Sequence, residues 1–146
     1  MDVLVLCPWG DPTSSGQSPE KAGDAKVPVV VVESYYKAKW GQADEFLRLY
    51  KKNHLPFLRK LQEDGRILKI EVVKPRYHAT EDGRWDYRVT LTFRDAEAAH
   101  DPSYEETLRR KLYPDQDNFR KEESRRFGIL ESHWDVVVDT VDPDAR

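Results

Sequence analysis

The sequence predicts an α+β fold in which helices pack on one face of a four-stranded antiparallel sheet. β-branched and aromatic stretches occur at four places along the chain, and apolar residues at helical spacing lie between the first and second of them. Further helix signals precede the last stretch. The predicted order is β-α-β-β-α-β, with a helical insertion in the second crossover and one domain over residues 27–146.

Composition narrows the class of protein. Of 146 residues, 24 are Lys or Arg and 27 are Asp or Glu, so the net charge is −3, and the charges are interspersed. We therefore expect no nucleic-acid partner and no attachment to anionic lipid. A single cysteine, Cys7, excludes an internal disulfide framework and a cysteine-based zinc cluster.

Residues 1–26 are rich in Pro, Gly, Ser, Asp and Lys, which indicates a flexible leader. No apolar stretch approaches the roughly 20 residues that cross a bilayer, so we expect no membrane-spanning segment. The short apolar run Val3–Leu6 has no basic residue before it, unlike a signal peptide. We expect a cytoplasmic protein by default, and a truncated start would leave export open.

The first strand is predicted at Val27–Tyr36 as a well-buried segment. A helix is predicted from Gln42 to Asp64, and Gly65 ends it. Pro56 lacks a backbone donor, which predicts a kink or break near Asn53. One face of this helix carries the apolar set Phe46, Leu47, Tyr50, His54, Leu58 and Leu61.

The second and third strands are predicted at Ile67–Lys74 and Trp85–Phe93, with a turn at Asp82–Gly83. Leu68, Ile70 and Val72 share one face of the second strand. The third strand has the clearest alternation in the chain, and we expect its apolar row to face the helices. That row is Trp85, Tyr87, Val89, Leu91 and Phe93.

After the third strand, the sequence predicts a short helix at 96–99 and another capped by Asp101–Pro102. A further helix is predicted at Asn118–Leu130, with Phe119, Phe127 and Leu130 inward. The last strand is predicted at His133–Val141. Trp134, Val136 and Val138 share one of its faces, and Asp135 and Asp139 are expected on the other sheet face with Glu33, Lys69, Glu71 and Arg88. This order is that of the ferredoxin-like fold.

The first helix contains the pattern Phe46-x3-Tyr50-x3-His54-x-Pro56. This pattern resembles the helix of the EthD-like group within the dimeric α/β-barrel superfamily. The resemblance implies a homodimer formed by sheet pairing. It also implies a pocket between sheet and helices that takes a small aromatic or polyketide-like molecule without a metal or other cofactor. It further implies that His54 is the polar pocket residue, with Tyr50 one turn before it and Phe46 and Pro56 shaping the pocket.

His54 is the candidate catalytic residue. It lies on an apolar helix face next to the predicted kink, where an unpaired backbone carbonyl could accept its ring N–H. Desolvation and a partner would tune such an imidazole for service as a general base or polariser. The alternative is a core histidine with its hydrogen bonds satisfied.

Aromatic and basic residues at the strand ends are candidates for substrate binding, because small-molecule sites combine aromatic walls with few polar groups. The alternative for these residues is packing at the strand ends. Arg88 could hold a substrate carboxylate, or it could pair with Glu71 or Asp135 across the sheet. The candidate substrate-binding residues are Tyr35, Trp40, Phe46, Tyr50, Arg76, His78, Trp85 and Arg88.

Other polar residues are weaker candidates. His133 and Asp135 share a face of the last strand, so they can interact or be solvated. The four histidines lie far apart in sequence, without the spacing by which a helix holds zinc, and we expect no metal site. The segment Arg120–Arg126 mixes basic and acidic residues and is predicted to be a solvated helix face.

Two functions fit these features. One is an enzyme without metal or nucleotide cofactor, of oxygenase, decarboxylase or cyclase type, with His54 as general base or polariser. The other is a non-catalytic dimer that binds or carries a small molecule. RNA binding is a third hypothesis, because the RNA-recognition module has the same element order and aromatics on its third strand, here Trp85 and Tyr87. The acidic balance and the inward assignment of both rings argue against it.

Overall fold

The computed structural model describes residues 27–145, and the leader predicted for residues 1–26 lies outside them. The described elements are β1 (Val30–Ala38), α1 (Ala43–Asn53), α2 (Leu55–Glu63), β2 (Ile67–Val73), β3 (Tyr87–Phe93), α3 (Ala96–Ala99), α4 (Pro102–Leu112), α5 (Gln116–Gly128) and β4 (Leu130–Val138). The strands form an antiparallel sheet in the order β2-β3-β1-β4. The predicted α+β, ferredoxin-like arrangement is confirmed.

Strand pairing sets the strand ends. β1 begins at Val30, three residues later than predicted, because Val30 pairs with Phe93 at the end of β3. Val27 and Val29 precede that pairing and are exposed, so the prediction of a buried start was wrong. β4 begins earlier than predicted, at Leu130, which pairs with Ala38 directly after α5 ends.

The alternating row of β3 faces the helices, as the period-two pattern predicts. Tyr87, Val89, Leu91 and Phe93 are buried and form the core with residues of α1 and α2. Trp85 was predicted to belong to this buried row but does not. It precedes the strand, and its ring meets that of Tyr35 edge-on, with centroids 5.6 Å apart.

The predicted break in the first helix is confirmed. α1 ends at Asn53, α2 begins at Leu55, and His54 lies between them outside both helices. Pro56 occupies the first turn of α2, where a missing N–H costs least. Gly65, at φ +72°, follows the end of α2 in the left-handed conformation that glycine adopts without strain.

The facing of β4 differs from the prediction. Trp134 and Val136 pair with Tyr35 and Glu33 of β1, on the sheet face away from the helices, which we call the outer face. Asp135 lies on the helix side, where it accepts a hydrogen bond from Ser34 Oγ at 2.5 Å. The apolar side of β4 is therefore turned outward, and most residues of this edge strand are exposed.

The insertion forms α4, which packs on α2 through the buried Leu108. Asp101 caps it as predicted, accepting from the Tyr104 amide at 3.1 Å. α5 then crosses α1. Its inward residue is Arg126, while Phe127 is 51% exposed, so the predicted inward position of Phe127 was wrong.

Candidate functional site

The break between α1 and α2 positions the imidazole of His54. The ring lies against two aromatic rings, with its centroid 5.0 Å from that of Tyr50 and 6.2 Å from that of Phe57. Tyr50 is buried in the core four residues earlier. Residues four apart lie on the same side of a helical turn, so the imidazole of His54 points in the same direction as the Tyr50 ring. No hydrogen bond joins this ring to a backbone carbonyl among the described residues, so the carbonyl partner that the sequence allowed is not present.

His54 lines a half-open cleft of about 330 Å³ between the α1–α2 break and the helices α4 and α5. Aromatic side chains alternate with charged ones along its walls. The insertion helix contributes one wall and α5 another. The lining residues are Asn53, His54, Phe57, Glu105, Arg109, Tyr113, Phe119, Glu123, Arg126 and Phe127.

The cleft is not where the resemblance places it. Between α1 and the centre of the sheet the space is filled, since the ring of Phe46 lies 4.8 Å from that of Tyr36 and 6.0 Å from that of Tyr87. A groove does run between α1 and the end of β2, lined in part by Leu47 and Val72, but His54 does not line it.

Burial, together with the positive charges around His54, holds its imidazole neutral. Burial lowers the pKa of His54 to about 3, and the positive charges of Arg126 and Arg109, with a contribution from His133, act in the same direction. A neutral imidazole can donate one hydrogen bond and accept another. At a pKa this low it is a weak base, so polarising a bound oxygen suits it better than removing a proton.

Arg126 is the largest side chain that the cleft buries. It is 2% exposed, and its Nε and Nη2 donate to the Oε1 and Oε2 atoms of Glu123 at 2.8 and 2.7 Å. Its guanidinium carbon lies 4.4 Å from the ring centroid of Phe127. The prediction that this segment is a solvated helix face was wrong for Arg126.

Phe46 and Tyr50 belong to the core and not to the cleft lining. Burial raises the pKa of the Tyr50 hydroxyl, the nearby Tyr36 adds to the rise, and Arg126 opposes it. The hydroxyl therefore stays protonated at neutral pH. These two residues support the position of His54 from beneath, and Pro56 is exposed at the start of α2.

A second cleft, of about 380 Å³, gathers the candidate residues Trp40, Arg76, His78 and Trp85. It shares no lining residue with the His54 cleft. Arg84 organises its floor. The guanidinium of Arg84 donates to Asp86 at 2.8 Å and lies 4.3 Å from the ring centroid of Trp40. The residues predicted to form one site are therefore divided by the fold among the His54 cleft, the core, the second cleft and the outer face.

Tyr35 and Arg88 lie on the outer face, away from both the core and the His54 cleft. Arg88 lies 3.7 Å from a carboxylate oxygen of Glu33 and 3.9 Å from one of Glu71. The predicted ion pair with Glu71 is thus present, whereas Asp135 is on the other face. The ring of Tyr35 stacks on that of Trp134 at 5.2 Å.

His133 and Asp135 share one face of β4, as predicted, and this face is the helix side. His133 Nε2 lies 3.6 Å from Asp135 Oδ2, and its Nδ1 lies 2.9 Å from the backbone oxygen of Tyr35. The imidazole stacks on the ring of Tyr36 at 4.4 Å. Within residues 27–145, no group of three or more His, Cys, Asp or Glu side chains is arranged to hold a metal ion.

The sequence interpretation missed Arg109, Tyr113 and Arg126. The ring of Tyr113 stacks on that of Phe119 at 4.4 Å, and burial raises the pKa of its hydroxyl. Sequence signals did exist. Tyr113 and Phe119 frame the turn between two capped helices, and Glu123 precedes Arg126 by the three positions that bring helical side chains together.

Each helix in the described part of the chain falls short of the length and apolar character that crossing a bilayer requires.

No protein-family model matches the sequence, and a search of curated proteins finds no match.

Solved structures do match the fold. A dimeric ferredoxin-like protein from an uncultured marine organism has a TM-score of 0.51 and 7% identity, covering 81% of this chain and 91% of that chain. A NIPSNAP family protein from Agrobacterium tumefaciens has a TM-score of 0.48 and 12% identity. The match covers 80% of this chain and 96% of the Agrobacterium chain. SnoaB, a cofactor-independent oxygenase from Streptomyces nogalater, has a TM-score of 0.46 and 14% identity. The match covers 81% of this chain and 98% of the SnoaB chain. The similarity to the marine protein supports the ferredoxin-like fold and nothing beyond it.

Proposed function

We propose that this chain is an enzyme that acts without a metal or nucleotide cofactor on a small aromatic or polyketide-like molecule held in the His54 cleft. The supporting observation is a neutral imidazole in a half-open cleft of about 330 Å³ that has phenylalanine walls. Ligand sites of about 300–1,000 Å³ with apolar walls and few polar groups are the usual form of small-molecule pockets.

In this proposal the neutral imidazole of His54 donates its N–H to a carbonyl or phenol oxygen of the substrate. The bond draws electron density toward that oxygen and so acidifies the neighbouring C–H. When water that enters the half-open cleft takes the proton, the C–H electron pair forms an enolate whose charge rests on the hydrogen-bonded oxygen. Oxygenase, decarboxylase and cyclase reactions all benefit from stabilising such a charge.

The role of general base requires a change in the surroundings of His54. Burial is the main cause of the low pKa of the imidazole, and Arg126 and Arg109 add to it, so negative charge entering the cleft would offset the contribution of the arginines and raise that pKa. A bound anion would therefore make His54 a stronger base at the moment the substrate is present. Polariser and base are thus two roles of one residue, the first toward a neutral substrate and the second when an anion is bound.

We also place a second copy of the chain on the outer face. Apolar and aromatic residues of β1 and β4 lie there without a covering element, and Trp134 and Val136 are each about two-fifths exposed. Glu33, Arg88 and Glu71 alternate in sign across the same face, which allows it to pair with itself. The related fold from the marine organism is described as dimeric.

The test uses anthrone, a tricyclic aromatic ketone that takes up one molecule of O2 to give anthraquinone and water. The wild-type chain is expected to accelerate O2 uptake and anthraquinone formation above the rate in buffer. His54→Ala is expected to lose at least about 100-fold of that acceleration, because one positioned polar group contributes on this scale. Its melting temperature should stay close to that of the wild type.

His100→Ala is the matched control, because His100 is exposed and lies outside both clefts. It should retain full activity. If anthrone raises the melting temperature of the wild type but is recovered unchanged, the carrier alternative is correct and the enzyme proposal is wrong. Unfolding of His54→Ala would assign His54 to the core instead.

A further inference from the structure

Arg126 is buried with an incomplete set of hydrogen bonds. Glu123 engages Nε and Nη2, but Nη1 makes no hydrogen bond among the described residues. A buried guanidinium normally finds acceptors for its N–H groups, because leaving a charged donor unpaired is costly. The unused N–H groups of Nη1 are therefore available for an acceptor from outside the chain.

Tyr113 presents the same situation in the same cleft. Its hydroxyl oxygen is buried and the Phe57 backbone lies near enough to oppose the rise in its pKa that burial causes, but the hydroxyl donates to no acceptor among the described residues. The described residues contain three buried side-chain polar atoms without a partner, on Arg88, Tyr113 and Arg126. Two of the three belong to residues that line the His54 cleft.

The unpaired groups of the cleft can all donate a hydrogen bond. An Arg N–H donates and cannot accept, a Tyr hydroxyl can donate, and a neutral imidazole has one N–H to donate. The two carboxylates of the lining are already engaged, Glu123 by Arg126 and Glu105 by Arg109 at 3.7 Å. What the cleft lacks is an acceptor oxygen.

The residues that line the cleft indicate the shape of the rest of the ligand. The rings of Phe57, Phe119 and Phe127 line the cleft and favour a flat aromatic body. Phe127 covers the guanidinium of Arg126 from 4.4 Å, and its side chain is half-exposed, so packing does not prevent its rotation. Rotation of this ring would admit an oxygen to Nη1.

We propose that the His54 cleft prefers aromatic acids over neutral aromatic molecules, with the carboxylate of the ligand bound by Arg126 Nη1 and the Tyr113 hydroxyl. This inference rests on the proposed function and names its class of substrate. Two donors on one carboxylate give stronger and more directional binding than either donor alone, since hydrogen bonds to a charged acceptor are the strong ones.

The experiment measures binding of 2-naphthoate and of its neutral isostere 2-naphthamide to the full chain by isothermal titration calorimetry. The wild type is expected to bind 2-naphthoate at least about 10-fold more tightly than 2-naphthamide. Tyr113→Phe should reduce that preference about 10-fold with little loss of stability, because the hydroxyl donates no hydrogen bond to the described residues. Arg126→Lys keeps the positive charge beside Glu123 but removes the planar guanidinium and its second nitrogen donor. This substitution should abolish the preference for 2-naphthoate over 2-naphthamide.

Tyr77→Phe is the control, because Tyr77 is exposed and lies in the second cleft. It should leave both affinities unchanged. Equal affinity of the wild type for the two probes, or an unchanged preference in Tyr113→Phe, would overturn the assignment of aromatic acids and leave the small-molecule cleft in place. Failure of the wild type to bind either probe would overturn both proposals.

Discussion

Glu123→Gln is expected to destabilise the protein by about 3–5 kcal/mol, because it leaves a guanidinium uncompensated in the interior. Arg126 is 2% exposed, and Glu123 supplies both oxygens of its bidentate pair. Gln has the same length but no charge and offers one acceptor where the carboxylate offers two. Urea unfolding monitored by circular dichroism measures the free energy of unfolding.

Asp117→Asn is the matched control, in the same helix and with the same spacing to its partner Arg120. Both side chains of that pair are largely exposed, at 93% and 66%, so the change should stay within about 0.5 kcal/mol. Equal, small effects of the two substitutions would show that Arg126 reaches solvent, contrary to the geometry described above.

Val136→Lys is expected to separate the proposed dimer into monomers. Val136 lies on the outer face opposite Glu33, so a lysine there can pair within its own sheet but carries charge into the apolar contact between copies. We expect the dissociation constant to rise at least about 100-fold, which corresponds to about 2.7 kcal/mol. Light scattering coupled to size-exclusion chromatography at several protein concentrations measures it.

Val137→Lys provides the comparison, because Val137 is the next residue and points to the other face of the same strand. It is 67% exposed, more than Val136 at 41%, and should leave the dimer intact. If both substitutions separate the copies, the interface runs along the edge of β4. A wild-type chain that is monomeric at all concentrations would contradict the pairing altogether.

Local chemistry made most of the fold predictable. Alternation along β3 predicted which of its residues are buried, Pro56 predicted the break at His54, and Gly65 predicted the end of α2. The facing of β4 could not be predicted in this way. An alternating strand reveals that one face is apolar, but not whether helices or a second copy cover that face.

The candidate site was less predictable than the fold. The pattern in the first helix located His54, but Arg126 and Tyr113 come from helices that meet it only in three dimensions. The pair Glu123 and Arg126 has the same spacing as the exposed pair Asp117 and Arg120. Spacing alone therefore cannot distinguish a buried ion pair from a solvated one.

The protonation of His54 also has a consequence for stability. An ordinary histidine has a pKa of about 6.5 and is expected to keep it in the unfolded chain. In the folded chain the pKa is about 3, so between these values the unfolded state binds a proton that the folded state does not. The contribution of this residue to stability therefore falls as the pH falls through that interval.

A pH titration of the histidine side chains by NMR tests the central claim most directly, with His54→Gln used to assign the signal. The account predicts that His54 stays neutral from about pH 8 to about pH 5, while a histidine of ordinary pKa titrates in that range. Adding 2-naphthoate should perturb the signal of His54 and raise its pKa. Titration of His54 near 6.5, with no response to the ligand, would contradict a buried imidazole in a ligand-binding cleft.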